Sequence, residues 1–154
     1  MWSDHRRRWK RKRGHHSRIK CQHQQFHNKK QRDNGSCVSS SGQSNLIVVN
    51  NNITNFYIGA NFYGSSSVNL SNNILMFGWY AGAVLQSASN AVVSCNEIAN
   101  ITNHGIDLDG FPAVTVSGNN IVDNNASGIY LTTSEASFSD VIISGNNVTR
   151  NEHG

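Results

Sequence analysis

No apolar run in this 154-residue chain is long enough to cross a membrane. From residue 45 onward no apolar face recurs at helical spacing over three turns, which argues against a helical domain. Cysteine is scarce. Cys21, Cys37 and Cys95 have no metal-ligand spacing and leave an odd thiol, and Cys95 is expected to pack beside a turn. The basic N-terminus is not followed by an apolar stretch, so no secretory signal is expected there. Positive charge is nearly missing from most of the chain. Residues 1–33 hold 12 of the 13 Lys and Arg against Asp4 and Asp33, a formal charge of +10. The remainder sets Arg150 against Glu97, Asp107, Asp109, Asp123, Glu135, Asp140 and Glu152, a formal charge of −6. The pI near 9.2 therefore describes the first segment and says nothing of what the body binds.

What is present is a repeat. Gly59, Gly82, Gly105 and Gly128 are each 23 residues apart. After each glycine comes a short alternating segment, with Ala60 and Phe62, Ala83 and Leu85, Ile106 and Leu108, and Ile129 and Leu131 facing inward. A second alternating segment places Leu46 and Val48, Val68 and Leu70, Ala91 and Val93, Val114 and Val116, and Val141 and Ile143 inward. It leads into an Asn-x-Ile element at Asn51-Asn52-Ile53, Asn72-Asn73-Ile74, Asn96-Glu97-Ile98, Asn119-Asn120-Ile121 and, with valine, Asn146-Asn147-Val148. Period-two alternation is strand periodicity, and a fixed period in the twenties marks a solenoid of stacked units. The chain is predicted to be all-β: a parallel β-helix of about five rungs, ~23 residues each, over residues 45–154.

Residues 1–44 are predicted to be a basic arm, disordered over its first 36 residues, with a polar linker at 37–44. Their few apolar residues cannot offset a chain entropy of ~1–2 kcal/mol per ordered residue. Clustered Arg and Lys with Trp2 and Trp9 would suit nucleic acid or another anionic polymer. A solvated tail explains them as well, and the adjacent His15 and His16 lack the fixed geometry of a metal site. Neither end shows a cap, so the domain is expected to be a fragment of a longer solenoid or to associate end to end.

Asn51, Asn72, Asn96, Asn119 and Asn146 are expected to stack in one line about 4.8 Å apart, as turn residues and as an amide ladder. Asn-x-Ser/Thr sequons stand at Asn52, Asn69, Asn100, Asn125 and Asn147, and they carry meaning only in a chain secreted from a eukaryote.

The repeat Val-Thr-Val-Ser-Gly-Asn-Asn-Ile-Val-Asp-Asn-Asn-Ala-Ser-Gly-Ile-Tyr-Leu (114–131) and its echoes resemble the right-handed parallel β-helix, or pectin lyase-like, superfamily. Thr102 to Gly110 is distantly similar to the polygalacturonase segment Asn-Thr-Asp-Gly-Ile-Asp. His104 stands in place of that family's first acid, and Ala126-Ser127 in place of its paired acids. The resemblance implies a polysaccharide as partner and an extracellular or cell-envelope location. If the domain is an enzyme, it implies a polysaccharide lyase, an epimerase or a glycoside hydrolase.

The outward face of the post-glycine strands is the candidate surface. One column would read Asn61, Val84, Asp107 and Tyr130, and the next Tyr63, Gln86, Asp109 and Thr132. Asp107 and Asp109 lie two strand positions apart, roughly 6.5–7 Å, within the ~6.5–9.5 Å of an inverting acid–base pair. They are the candidate catalytic acids, with His104 beside them as acid or base near neutral pH. Asp107 and Asp109 are also candidate oxygen ligands for Ca²⁺. Tyr63, Gln86 and Tyr130 are candidate substrate-binding residues. Against this, alternation places any polar residue outside, and His104 before a glycine reads as a turn residue. Trp79 and Tyr80 are expected to cover the side of the second rung and not to meet substrate. Three readings follow: a carbohydrate-active domain that binds an acidic or neutral polysaccharide, with cleavage or epimerisation as its reaction if it is an enzyme, a non-catalytic scaffold or adhesion repeat, and, least favoured, nucleic-acid binding through the arm.

Overall fold

The structure is a computed structural model that describes residues 35–110, 112–132 and 139–154. The predicted disordered segment of the arm lies outside the described residues, apart from residues 35 and 36, and most of the insertion at 132–140 does too. The first rung is β1 (Ser36–Ser41), β2 (Ser44–Val49) and β3 (Asn52–Thr54). The second is β4 (Ile58–Tyr63), β5 (Ser66–Ser71) and β6 (Ile74–Met76). Next come β7 (Ala81–Gln86), β8 (Ala91–Ser94) and β9 (Glu97–Ala99), then β10 (His104–Asp109), β11 (Pro112–Ser117) and β12 (Asn120–Val122). The last is β13 (Ile129–Thr132), β14 (Ser139–Ser144) and β15 (Asn147–Thr149).

Each rung gives one strand to each of three five-stranded parallel sheets. The first sheet runs β1-β4-β7-β10-β13, the second β2-β5-β8-β11-β14 and the third β3-β6-β9-β12-β15. The all-β solenoid is therefore as the repeat predicts. One boundary moves. The predicted linker at 37–44 contains β1, which pairs in register with β4 from Ser36 opposite Ile58 to Ser41 opposite Tyr63. Its serines and lone Val38 alternate too weakly to read as a strand, and the neighbouring rung supplies the hydrogen bonds that make it one.

The core is a set of columns. Phe62 and Leu85, Ile106 and Leu108, Val68 and Leu70, Val93, Val114 and Val116 are all almost fully buried. Leu131 and Ile143 point inward by register but stay exposed, because β13 and β14 have a neighbour on one side only. Each buried aliphatic side chain contributes about 1.5–3 kcal/mol.

The corners explain the Asn, Gly and Ser content. Asn50, Asn72, Cys95, Gly118 and Gly145 occupy one corner column, all with φ between 54° and 64°. The left-handed conformation is cheapest for Gly and Asn. Cys95 is exposed at this corner and is not packed as expected.

One position inward lies the ladder, and here the register differs from expectation. It runs through Asn51, Asn73, Asn96, Asn119 and Asn146, so Asn73 replaces Asn72. The steps are 22, 23, 23 and 27 residues. Asn72-Asn73-Ile74 repeats the letters of Asn51-Asn52-Ile53 one residue out of register: Ile53 pairs with Leu75 and not with Ile74. Leu75 is fully buried whereas Ile74 is 36% exposed. Leu75→Ala is accordingly expected to cost about 2–5 kcal/mol and Ile74→Thr less than about 1 kcal/mol, read from urea unfolding midpoints. Equal costs would sink this register. A shorter second ladder, which the sequence reading misses, joins Asn124 to Asn151 at 2.8 Å and takes the N–H of Ile101 on Asn124 Oδ1 at 3.0 Å.

Candidate functional site

The first sheet carries the site, and β10 is its centre. Register places Asn61, Val84, Asp107 and Tyr130 in one outward column and Tyr63, Gln86, Asp109 and Thr132 in the next, as expected. The two aspartates share a face but not an environment.

Asp107 is only 7% exposed. Its neighbours in the column are Val84 and Tyr130, and it accepts a hydrogen bond from the Tyr80 hydroxyl on Oδ2 at 3.4 Å. Its Oδ1 is buried with no hydrogen-bond partner. Burial pushes the Asp107 carboxyl above the usual carboxylate range, and nearby Asp109 pushes the same way. His104 and the Tyr80 bond only partly oppose this. Asp109 is half-buried and accepts a hydrogen bond from Gln86 Nε2 at 3.0 Å.

His104 is not a turn residue. It opens strand β10 opposite Ala81, and its ring stacks on Tyr130 with centroids 4.3 Å apart and planes 9° apart. Its Nδ1 is buried without a partner. Burial lowers its pKa despite the attraction of Asp107, with His153 adding to the lowering. The imidazole is thereby held neutral near pH 7.

Tyr80, expected only to cover the side of the second rung, also reaches Asp107. It binds Asp107 and stacks on Tyr57 with centroids 5.7 Å apart. Burial, then the charge of Asp107, raises its pKa and keeps the hydroxyl protonated. Sequence could have revealed this pair: Tyr57 and Tyr80 are 23 residues apart, the same period as the glycines.

Tyr63 shares the column of Asp109 but sits two rungs away, roughly 10 Å by strand spacing. It is a separate exposed ring at 55%. The structure therefore brings together His104, Asp107, Tyr80 and Tyr130, sets Asp109 and Gln86 beside them, and leaves Tyr63 apart. Among the described residues no three His, Cys, Asp or Glu side chains form a group that could hold a metal ion. Two carboxylates supply fewer than the 6–8 oxygens that Ca²⁺ takes, so the cation would need oxygens from solvent or a ligand. No helix among the described residues is long and apolar enough to cross a membrane.

Such a face, on a solenoid of stacked parallel strands, defines a β-helix protein with one built polar cluster. Residues 18–154 match the family described as right handed beta helix region, and the chain belongs to that family. Neither the curated proteins nor the solved structures contain a match to the chain.

Proposed function

We propose that this is a carbohydrate-active β-helix domain that binds a polysaccharide along the outward face of the first sheet, centred on Asp107. One observation carries the reading: an aspartate that is 7% exposed, with one carboxyl oxygen buried and unpartnered, beside stacked aromatic rings. A face that only kept the solenoid soluble would place its charges in water. Burying one costs stability, and such costs concentrate at functional sites. Equivalent positions repeat along the axis every ~4.8 Å, which suits a linear polymer lying across the rungs. Cleavage or epimerisation would use Asp107, where burial disfavours the charged form, as the acid and the more open Asp109 as the base.

Asp107→Asn tests this with opposite effects on stability and function. A carboxyl whose pKa is raised by folding gives stability that is complete below its unfolded value and is lost as pH rises through its folded value. Asp107→Asn is therefore expected to be more stable than wild type at pH 7, with the gain vanishing at low pH, in urea titrations across that range. Polysaccharide affinity is expected to fall. Any turnover, followed as new reducing ends or as unsaturated product, is expected to fall about 10²-fold or more. Glycan binding unchanged in both Asp107→Asn and Tyr130→Ala would leave the domain a scaffold.

A further inference from the structure

We propose that the polysaccharide taken by this face is uncharged, and that uronate or sulfated polymers are excluded from it. This deepens the reading above and rests on the face being a glycan site. The charge on the face argues first. Between residues 35 and 154 the basic side chains are His104, Arg150 and His153 alone. Arg150 is engaged with Asp123, at 2.6 and 2.7 Å, at the corner that follows the third sheet. His104 opens β10 but stacks on Tyr130 with its Nδ1 buried, and burial holds the ring neutral near pH 7. His153 is exposed one step beyond Ser127, at the last rung. None therefore offers a positive charge near pH 7 to an anion lying over β10, where Asp107 and Asp109 stand. A uronate or sulfate lying over β10 would meet the carboxylate of Asp109 with no positive charge beside it, and the other positions of the two columns offer none either.

The polar groups argue the same way. Carboxylates only accept hydrogen bonds, and each hydroxyl of a neutral sugar has an O–H to donate to one. Asp109 is already oriented by Gln86, which leaves its other oxygen to accept from a sugar hydroxyl. The exposed rings complete the fit. Tyr63 and Tyr130 are 55% and 40% exposed on this sheet, and Trp79 is 55% exposed one residue before the Tyr80 that stacks on Tyr57. Aromatic faces pack against the apolar faces of uncharged pyranose rings and keep a polar edge for solvent.

The test is affinity electrophoresis of the full chain in gels containing hydroxyethylcellulose, galactomannan, arabinoxylan, polygalacturonate or alginate, at low and high salt. At least one neutral polymer is expected to retard the protein equally at both salts. Tyr130→Ala, with an unchanged melting temperature, is expected to weaken that binding about 10-fold. Retardation by polygalacturonate that disappears at high salt and ignores Tyr130→Ala belongs to the +10 segment and supports the proposal. Retardation by polygalacturonate or alginate that survives high salt and falls with Tyr130→Ala overturns neutrality. So does retardation that requires added Ca²⁺ and is lost in Asp109→Asn. Either result leaves the glycan site standing, whereas no retardation by any polymer removes the site itself.

Discussion

Asn96→Ala is expected to destabilise the domain by about 3–5 kcal/mol, a large part of the 5–15 kcal/mol that holds a typical domain folded. Asn96 is 2% exposed and lies at the middle of the ladder. Its Oδ1 accepts the backbone N–H of Asn73 at 2.9 Å and the Asn73 side-chain amide at 3.0 Å. Its Nδ2 donates to Leu70 O and to Asn119 Oδ1, both at 2.9 Å. Alanine leaves the N–H of Asn73 and the carbonyl of Leu70 buried without these partners, and each orphan costs about 1–3 kcal/mol. Asn96→Asp restores the acceptor but not the donors and adds a buried charge. Its stability is expected to fall further as pH rises. Urea unfolding at several pH values reads both effects. A loss below about 0.5 kcal/mol for Asn96→Ala, the size of an ordinary surface change, would show that the ladder does not hold the rungs together.

Gly105→Ala is expected to cost about 3 kcal/mol or more, for a steric reason. Gly59, Gly82, Gly105 and Gly128 are absent from the residues with positive φ, so freedom of the backbone is not what selects them. A Cβ on Gly105 would sit 2.6 Å from the carbonyl oxygen of Gly128 and 2.7 Å from Ile121 Cγ2. On Gly82 it would sit 2.6 Å from the carbonyl oxygen of Gly105 and 2.7 Å from Ile98 Cγ2. The third sheet packs its Ile column against backbone here, and only glycine leaves the room. Because Gly105 follows His104, the shift is also expected to loosen the His104–Tyr130 stack. Gly118→Asn is the control. Its φ is 64°, a Cβ there meets only Cys95 Sγ at 3.6 Å, and Asn50 and Asn72 already fill the same corner column. That change is expected to stay within about 0.5 kcal/mol. Comparable costs for Gly105→Ala and Gly118→Asn, measured by thermal unfolding, would refute the steric account.

The contrast between these two glycines shows where sequence reading stops. A period is visible in a string, because each rung must put like residues in like places. The reason for the period is not visible. Gly105 and Gly118 look alike in sequence, yet one answers to crowding and the other to backbone conformation. The same holds for the site. Alternation placed Asp107 and Asp109 on one outward face, next to Tyr130 and Gln86, and the register agrees. It could not separate them by burial, since alternation knows only inside and outside. Tyr80, which lies outside any strand, covers Asp107 from the neighbouring rung.

The sequence by itself determined the all-β solenoid, its period, the two outward columns of the first sheet and the split of charge along the chain, because these follow from local alternation and repetition. Only the tertiary structure decided that β1 belongs to the solenoid, that Leu75 and Asn73 and not their neighbours enter the core and the ladder, and that Asp107 is buried against Tyr80. Each of those depends on which residue the adjacent rung sets opposite, and a single-residue slip between rungs is enough to exchange inside for outside.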